Sequence, residues 1–398
     1  PPLPTFRRQR QMCIRDSYHA VTMRSFIGAT RIAEFNGLPC PENVDAGILR
    51  MARYLMDVSK PDLHIPMFND SDHDNVSGAL RPFADEEHPE FAYVLSHGTE
   101  GRPPSYTSVG LPYAGQYVMR SGWDKDALYL ALDAGPYGAG HQHEDKLQVD
   151  VHAYGRSHIL DPGRFTYAGG PWRSYFAGTS SHSTVLVNGR GQDRRRTPRR
   201  RWVGTRRQDN LWITNPDFDF AAGVYDEGYA GGLHGPVHVR KVFFKRGEYW
   251  VVHDLLVGPS PAGDACTADV QYQFGVPGVT VDPDGPVIAS HNPDANLAIF
   301  PASDRLVVIE LHEGEEAPPK GWIAWSLHRA LKTPATLAVI RAEGALPLRI
   351  DTVLFPYRGE NRPPVTVRRL PGDGPGTSIL EIAGPHGRDV YRCAHGTA

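Results

Sequence analysis

From about residue 110 to its end, the 398-residue chain is a succession of short apolar runs that alternate with polar residues. Gly, Pro and Asp bound these runs, and no helical period separates one from the next. Parallel strands need long crossover connections, usually helical, so a βαβ sheet is excluded. The pattern predicts a mainly β fold: a large antiparallel β-sandwich with more than one sheet layer, that is, a supersandwich. The runs include QYVMRSGW, ALYLALDAG, LQVDVHAYG, STVLVNG and VHVRKVFFKRGEYWVVHDLLVG.

Composition narrows the choice of partner. A formal net charge of −3 gives no global field that would recruit nucleic acid or a membrane surface, so binding of a polyanion needs a local basic patch. No apolar run approaches the roughly 20 residues that span a bilayer. The cysteines have no CxxC spacing, which argues against a thiolate metal site and against a disulfide scaffold, although one or two bridges stay open. They are Cys13, Cys40, Cys266 and Cys393.

The start of the chain lacks the strand-like alternation found after residue 110. Residues 1–16 lack an apolar h-region and any regular period, which indicates either a foreign segment or a basic disordered tail. Helical periods run from Ser17 to Gly37 and from Asn43 to Ser59, and such a pair cannot bury both its faces alone. We therefore expect the last helices of a larger helical domain, with a linker, over residues 17–85, and a β-sandwich domain over residues 86–398.

The candidate chemical centre is the segment GHQHEDKLQVDVHAYGRSHILDPG. On a strand, His141 and His143 would point to one face, because the side-chain period is two. Two imidazoles beside a carboxylate begin a divalent-metal site, and zinc suits nitrogen and oxygen ligands. Asp161, about one hairpin away, could complete the set, and His182 is a further imidazole before a strand. An HxH pair also arises by chance, and Asp145 is equally explained as a strand-edge carboxylate.

A run of eight arginines lies between Arg194 and Arg207. Guanidinium groups pair with carboxylate or sulfate in a bidentate manner, so the run could contact an anionic polymer. A solvated hairpin loop explains it equally well. Trp202, within the run, could serve as a sugar platform or belong to the core.

The segment MFNDSDHDN alternates three carboxylates, Asp70, Asp72 and Asp74. Alternating carboxylates are typical of Ca²⁺ loops, but the glycine and the closing glutamate of an EF-hand are missing. The favoured interpretation is a connecting loop near the cleft between the two domains.

Several of these elements occur in a fixed order between residues 137 and 192: GHQHED, the AYG turn, DPG, and HSTVLVNG. Together with VHVRKVFFKRGEYWVVHDLLVG downstream and SYH at the start of a helix, they resemble the heparinase II/III family of polysaccharide lyases. The resemblance covers most of the chain. It implies the end of an α/α toroid followed by the family's C-terminal β-domain.

The resemblance also implies a reaction, β-elimination at a uronic acid, in which a base removes the C5 proton and the glycosidic bond at C4 breaks. Tyr18 would be the acid, or both acid and base if nearby cations lower its pKa. His141 would reach the sugar as base or as neutraliser of its carboxylate. Tyr175 matches a second tyrosine of the alginate-cleaving branch, although packing under a loop explains it at least as well. The expected substrate-binding residues are His19, Arg173 and Arg194.

His143, Asp161 and His182 resemble the family's zinc ligands, which implies one structural zinc per chain that holds the loop carrying His141. The chain departs from the family pattern at Ser183, where an asparagine is usual, and in lacking the earlier toroid helix that binds the substrate carboxylate. The expected partner is an anionic polysaccharide of glycosaminoglycan or alginate type. By resemblance we also expect a periplasmic or secreted location, and a homodimer is left open.

Two other classes of function remain as alternatives. The first is a non-catalytic carbohydrate-binding or scaffold fragment that keeps the sandwich of such a lyase. The second is a zinc-dependent hydrolase, because HxHxD is similar to the motif of metallo-β-lactamase-like enzymes. Those enzymes continue with another histidine, where this chain has Lys146, and they use a fold rich in βα units.

Overall fold

The computed structural model describes residues 18–138, 140–204, 206–229, 235–258, 265–283, 285–326, 331–372 and 377–394. Two long helices open this part and confirm the predicted helical pair; the predicted foreign or disordered segment, residues 1–16, lies outside the described residues. No helix in these ranges combines the length and apolar character needed to cross a membrane. The described α-helices are α1 (Tyr18–Phe35), α2 (Val44–Val58), α3 (Ser77–Leu80), α4 (Pro89–Leu95) and α5 (Pro171–Phe176).

The described strands pair antiparallel throughout, as predicted, and form three principal sheets. Sheet I is a meander of β1 (Val109–Leu111), β2 (Gln116–Arg120), β3 (Tyr129–Asp133), β4 (Gln148–Ala153) and β5 (Arg156–Ile159). Sheet II contains, in spatial order, β12 (Thr280–Val281), β13 (Ile288–Ala289), β14 (Ala295–Ala302), β21 (Leu348–Arg358), β10 (Tyr249–Val257), β9 (Val237–Lys245), β8 (Phe218–Tyr225) and β7 (Leu211–Thr214). Sheet III contains β15 (Val307–Glu313), β20 (Thr336–Gly344), β11 (Cys266–Gln273) and β6 (Val185–Val187).

Smaller sheets complete the described part. Two ribbons pair β16 (Glu315–Glu316) with β17 (Pro319–Lys320) and β18 (Trp322–Ile323) with β19 (Thr333–Pro334). Sheet IV consists of β22 (Thr366–Leu370), β23 (Thr377–Gly384) and β24 (Gly387–Ala394). Within the described residues Cys40, Cys266 and Cys393 are free thiols, and Cys13 lies outside them.

Sheet II is buried on both faces, which makes the sandwich a multilayer one. Along β10, Trp250 and Val252 enter the main core, to which sheets I and III also contribute. Tyr249 and Val251 point the other way and pack with sheet IV. This alternation follows from the two-residue period of a strand. It explains why β10 reads as a nearly continuous apolar run in the sequence.

The helices pack together around a second core and are joined to sheet I by hydrogen bonds. Arg120 Nη2 donates to the carbonyl of Asp57 at 2.6 Å, and Tyr129 Oη donates to that of Val58 at 2.7 Å. These bonds satisfy carbonyls at the end of α2 that have no partner inside the helix. Helix α4 belongs to the same helical core, and the first strand starts only at Val109. The predicted domain boundary between residues 85 and 86 stays a prediction.

Arg240 of β9 connects sheet II to the segments that carry the candidate site. Its guanidinium is fully buried and donates to both carboxylate oxygens of Asp254, at 2.7 and 3.1 Å. It also donates to the carbonyls of Leu147 and Ser183, at 2.7 and 2.6 Å. One side chain therefore anchors the residues before β4 and before β6 together.

We expect Arg240→Met to lower the free energy of unfolding by about 3–5 kcal/mol, because it leaves the buried Asp254 carboxylate without its cation. Urea denaturation measures this loss. Arg341→Met is the matched control: Arg341 also forks onto a carboxylate, that of Asp269, but its side chain is 38% exposed. The control should lose about 1 kcal/mol or less. Equal losses in the two variants would contradict the anchoring role.

Candidate active site and metal centre

The loop that joins β3 to β4 carries both histidines of the HxH segment. The spacing predicted a strand with the two side chains on one face, and this is wrong, because β4 begins only at Gln148. His141 has a φ of 58°, in the left-handed region, which interrupts any extended conformation. The two imidazoles therefore have different surroundings: the side chain of His143 is fully buried, whereas that of His141 is 29% exposed.

A single carboxylate, that of Asp70, contacts both histidines. Its Oδ1 accepts hydrogen bonds from His143 Nε2 at 3.0 Å and Arg173 Nη1 at 2.6 Å. Its Oδ2 accepts from His141 Nδ1 at 3.0 Å and Arg173 Nη2 at 3.1 Å. Burial by itself would raise the pKa of Asp70, but the hydrogen bonds from His141 and His143 outweigh burial and hold this pKa well below its usual range. Asp70 is therefore an anion that joins the two halves of the site.

Behind His143, four side chains converge that could hold a metal ion. His143, Asp145, Asp161 and His182 are all buried and offer ligand atoms within 4.8 Å of one another. Gln148 Nε2 donates to Asp145 Oδ2 at 2.7 Å and to Asp161 Oδ2 at 2.8 Å, which holds the two carboxylates side by side. Burial, and then the charge of Asp145, raise the pKa of Asp161 well above its usual range. A divalent cation would relieve this repulsion, and the nitrogen and oxygen donors suit one.

The tautomers of the two buried imidazoles strengthen this interpretation. His143 Nε2 donates to Asp70, so its neutral ring carries the lone pair on Nδ1. His182 Nδ1 donates to the carbonyl of Gly178 at 2.7 Å, which leaves the lone pair on Nε2. These two acceptor atoms lie 3.2 Å apart, and His182 Nε2 lies 3.6 Å from Asp161 Oδ2. Burial lowers the pKa of both rings, which favours the neutral, ligating form.

His141 has a tyrosine and two guanidinium groups beside it. Tyr167 Oη lies 3.2 Å from His141 Nδ1, and the rings meet edge to face at 5.7 Å. The guanidinium carbons of Arg164 and Arg173 lie 5.1 and 5.5 Å from the centre of the Tyr167 ring, and Arg164 also donates to its hydroxyl. Tyr167 is 44% exposed. The cluster therefore presents an imidazole and a phenol to solvent, beside two guanidinium groups that pair with Asp70 and Asp72.

Arg194 does not have the accessible position expected of a substrate-binding residue. Its side chain is 3% exposed, and its Nε donates to Glu227 Oε2 at 3.1 Å. Its Nη1 lies 3.8 Å from Asp145 Oδ1. The substrate-binding role predicted for Arg194 is therefore corrected to a structural one, because the guanidinium balances the charge of these buried carboxylates. Neighbours in the arginine run remain accessible, with the Arg195 and Arg206 side chains 61% and 82% exposed.

The contacts of Tyr175 and Trp202, the two aromatic candidates from the sequence, indicate packing roles. Tyr175 is buried; its Oη accepts a hydrogen bond from the backbone of Trp322 at 3.2 Å, and burial raises its pKa well above the usual range. Trp202 donates to the carbonyl of Thr197 and meets Tyr137 edge to face at 5.1 Å. A catalytic role for Tyr175 and a sugar platform at Trp202 gain no support from these contacts.

The two N-terminal candidates lie at the start of α1. Tyr18 is the first residue of that helix, and its side chain lies outside the described part of the chain. His19 is 3% exposed; its Nε2 donates to the carbonyl of Met51 at 2.9 Å, and its ring packs on Tyr54. These contacts favour a role for His19 in packing α1 against α2 rather than in binding substrate. The catalytic role of Tyr18 stays a prediction.

Three residues of the site were not predicted from the sequence: Asp70, Asp145 and Tyr167. The signal for Asp70 was the carboxylate-rich segment MFNDSDHDN, which we interpreted as a connecting loop near the cleft. Its carboxylates pair with arginines, Asp70 with Arg173 and Asp72 with Arg164 Nη2 at 2.7 Å, instead of facing one cation. Nothing in the sequence pairs these loops with one another, because they are about 70 to 100 residues apart along the chain.

The fold and the site together define a class of protein. The family model "Heparinase II/III-like, C-terminal" matches residues 103–367, and "Heparinase II/III N-terminus" matches residues 10–89. The chain belongs to the heparinase II/III-like family, which confirms the resemblance on which the site prediction was based.

The individual relatives to which the chain is similar are named as heparin-sulfate or heparan sulfate lyases. The heparin-sulfate lyase of Pedobacter heparinus is 23% identical over 369 residues, 89% of this chain and 52% of the relative. That of Bacteroides stercoris is 26% identical over 252 residues, 61% of this chain and 36% of the relative. Among solved structures, heparan sulfate lyase HepC from Pedobacter heparinus has a TM-score of 0.77 at 21% identity, covering 97% of this chain and 59% of its own. The chain thus spans about half the length of the curated relatives it matches.

Proposed function

We propose that the protein is a polysaccharide lyase that cleaves a uronic-acid-containing polymer by β-elimination. The observation that carries the proposal is the contact of Asp70 with His141. An imidazole whose Nδ1–H is held by a buried carboxylate keeps its Nε2 lone pair for a substrate proton, the same arrangement that orients a catalytic histidine in hydrolases. The partial exposure of His141 leaves this nitrogen within reach of a polymer.

In the proposed reaction, His141 Nε2 removes the proton from C5 of the uronic acid. The electron pair of that C–H bond forms a double bond between C4 and C5, and the bond from C4 to the glycosidic oxygen breaks. Asp70 stabilises the imidazolium that forms, because its carboxylate is already hydrogen-bonded to Nδ1. The products are a shortened chain and a sugar with a C4=C5 double bond.

The leaving oxygen needs a proton, and the family resemblance assigns this role to Tyr18. Tyr167 is a second candidate, since its side chain is partly exposed and its ring packs edge to face on that of His141. Arg173 and Arg164 flank the Tyr167 ring, and we propose that they stabilise the negative charge that the substrate carboxylate gains in the transition state. The predicted substrate-binding role of Arg173 is part of this proposal.

We propose zinc as the metal of the buried cluster, held by His143, Asp161 and His182, with Asp145 as an additional donor. Two ligands at about 2.0–2.1 Å from a tetrahedral ion lie roughly 3.3 Å apart. The 3.2 Å between His143 Nδ1 and His182 Nε2 is consistent with that spacing. Four buried donors are typical of a closed, structural site, which argues against a zinc-dependent hydrolase, where one position stays open for water. Zinc bound there would fix the loop that carries His141.

We also propose a polymer class and a cellular location. A glycosaminoglycan is the polymer class that the names of the relatives favour, with alginate as the other candidate. A periplasmic or secreted location fits such a substrate, and a homodimer stays open. The alternative function is a carbohydrate-binding protein without turnover, in which the same groups would hold a glycan but move no proton.

The test is an assay of the chain, loaded with zinc, on heparan sulfate, heparin and alginate. We expect ultraviolet absorbance from the new double bond to rise with at least one polymer, and His141→Ala to lower the rate by about 10²- to 10⁴-fold, the usual contribution of a general base. His88→Ala, which changes a histidine that pairs with Asp85 on the helical side, is the matched control and should keep full activity. Glycan binding with no absorbance change, equal in wild type and His141→Ala, would refute the lyase and support the binding protein.

A further inference from the structure

A second group of metal-ligating side chains lies outside the site described above. Asp62 and His64 follow helix α2, and His73 comes nine residues after His64 in the connecting loop. One ligand atom from each of these three residues lies within 4.8 Å of the others. All three side chains are half-buried, so an ion could enter from solvent.

The hydrogen bonds of this group leave donor atoms for an ion. His64 Nδ1 lies 3.1 Å from the carbonyl oxygen of Asp62, which can only accept, so the neutral ring carries its lone pair on Nε2. The ring of His73 makes no hydrogen bond within the described part of the chain and stacks on His64 with centroids 4.0 Å apart. Within the described residues, each of the two imidazoles therefore keeps a ring nitrogen without a hydrogen bond. Asp62 Oδ1 accepts from the backbone N–H of His64 at 3.1 Å and Oδ2 lies 3.4 Å from His64 Nδ1, but each carboxylate oxygen has a second lone pair that an ion could share.

A further imidazole and a buried ammonium lie beside this group. His152 of β4 is fully buried, its Nδ1 lies 4.0 Å from Asp62 Oδ2 and 3.1 Å from Ser157 Oγ, and its Nε2 has no hydrogen-bond partner. The ammonium of Lys60 is also buried and lies 3.9 Å from Asp150 Oδ1, and its charge helps to lower the pKa of Asp62. Asp62 is therefore an anion in this group and can contribute its charge to a bound ion.

We propose that Asp62, His64 and His73 form a second site for a divalent transition-metal ion at the base of the connecting loop. Histidine nitrogen with one carboxylate is a donor set that suits zinc, cobalt or nickel, whereas magnesium and calcium prefer all-oxygen sites. The proposal is independent of the lyase reaction, because it uses none of the residues to which that reaction is assigned.

The position of this site gives the ion a structural effect. The chain pairs back on itself at the bridge between His64 and Asn75, and the loop closed by that bridge carries Asp70 and Asp72. An ion bound by residues from both ends of this loop would close it in the folded protein. Binding of an ion to the folded state alone raises stability in proportion to the logarithm of its concentration.

The experiment is a zinc titration of the full chain in competition with a chromophoric chelator, read as the number of ions bound per chain. We expect two ions for the wild type, one for His73→Ala and one for His182→Ala. His88→Ala, the matched histidine on the helical side, should keep two. Asp62→Asn serves as a second, milder variant in case His73→Ala fails to fold. Cobalt provides an independent readout, because its visible absorption should lose a component in His73→Ala.

The outcomes separate the two sites. A single ion in the wild type that His182→Ala abolishes would overturn the second site and leave the buried cluster intact. A single ion that His73→Ala or Asp62→Asn abolishes would support the second site and refute zinc in the buried cluster. Two ions that persist in both His73→Ala and Asp62→Asn would overturn the assignment to these residues.

Discussion

Replacing Asp70 with asparagine should lower the rate of polymer cleavage by about 10³- to 10⁴-fold, the size of effect seen when a carboxylate that orients a catalytic histidine becomes an amide. Asparagine keeps the shape of the side chain, but its amide has one oxygen that accepts hydrogen bonds where the carboxylate has two. The four donors from His141, His143 and Arg173 would then face one acceptor fewer and no negative charge. The His141 ring would lose its orientation and the stabilisation of its charged form.

The same substitution should weaken the metal by about 10- to 100-fold, because a carboxylate that accepts from a ligating histidine raises the basicity of that ligand. Measuring kcat at saturating zinc separates the two effects: activity that stays low when the metal site is full reports on His141. Asp74→Asn is the matched control, since Asp74 lies in the same loop but is exposed. An unchanged kcat in Asp70→Asn, or an equal loss in Asp74→Asn, would contradict the role of Asp70.

His182→Ala should remove the metal of the buried cluster and, with it, the stability that this one metal contributes. For zinc present at about 100 to 1,000 times its Kd, that contribution is about 3–4 kcal/mol. The alanine leaves His143 and Asp161 without the His182 nitrogen, the third proposed ligand. Elemental analysis gives the metal content, and thermal unfolding with zinc and with a chelator gives the stability difference.

His158→Ala is the control for the loss of a buried imidazole. His158 is 2% exposed and hydrogen-bonds the carbonyl of Ala153, away from the cluster. Its replacement should lower stability equally with and without zinc and leave the metal content unchanged. A wild-type protein that unfolds at the same temperature in zinc and in chelator would refute a stabilising metal at His182.

Much of the architecture was predictable because it depends on local periodicity. The two helices at the start of the described chain and the antiparallel strands follow from periods of 3.6 and 2 residues, which neighbouring side chains impose. The proposed metal ligands His143, Asp161 and His182 were predicted for another reason, the ordered motifs of a family to which the chain belongs. Their convergence within 4.8 Å agrees with that prediction.

The errors have a common physical origin. His141 and His143 were expected on a strand because HxH has a two-residue period, but the φ of 58° at His141 interrupts the strand. Arg194 was expected to bind substrate, yet it is buried beside the carboxylates of Asp145 and Glu227. Neither a left-handed backbone angle nor a buried ionic partner can be read from a local sequence period.

The sequence by itself determined the class of fold, the family and the residue types of the metal cluster, because alternation, turn residues and ordered motifs are all local properties of the chain. Only the tertiary structure decided which carboxylate serves the histidines. Asp70 lies 71 residues from His141 and 73 from His143, and it reaches them because the connecting loop folds against the loop before β4. A buried carboxylate needs hydrogen-bond donors to offset its lost hydration. For Asp70 these donors are the imidazoles of His141 and His143 and the guanidinium of Arg173.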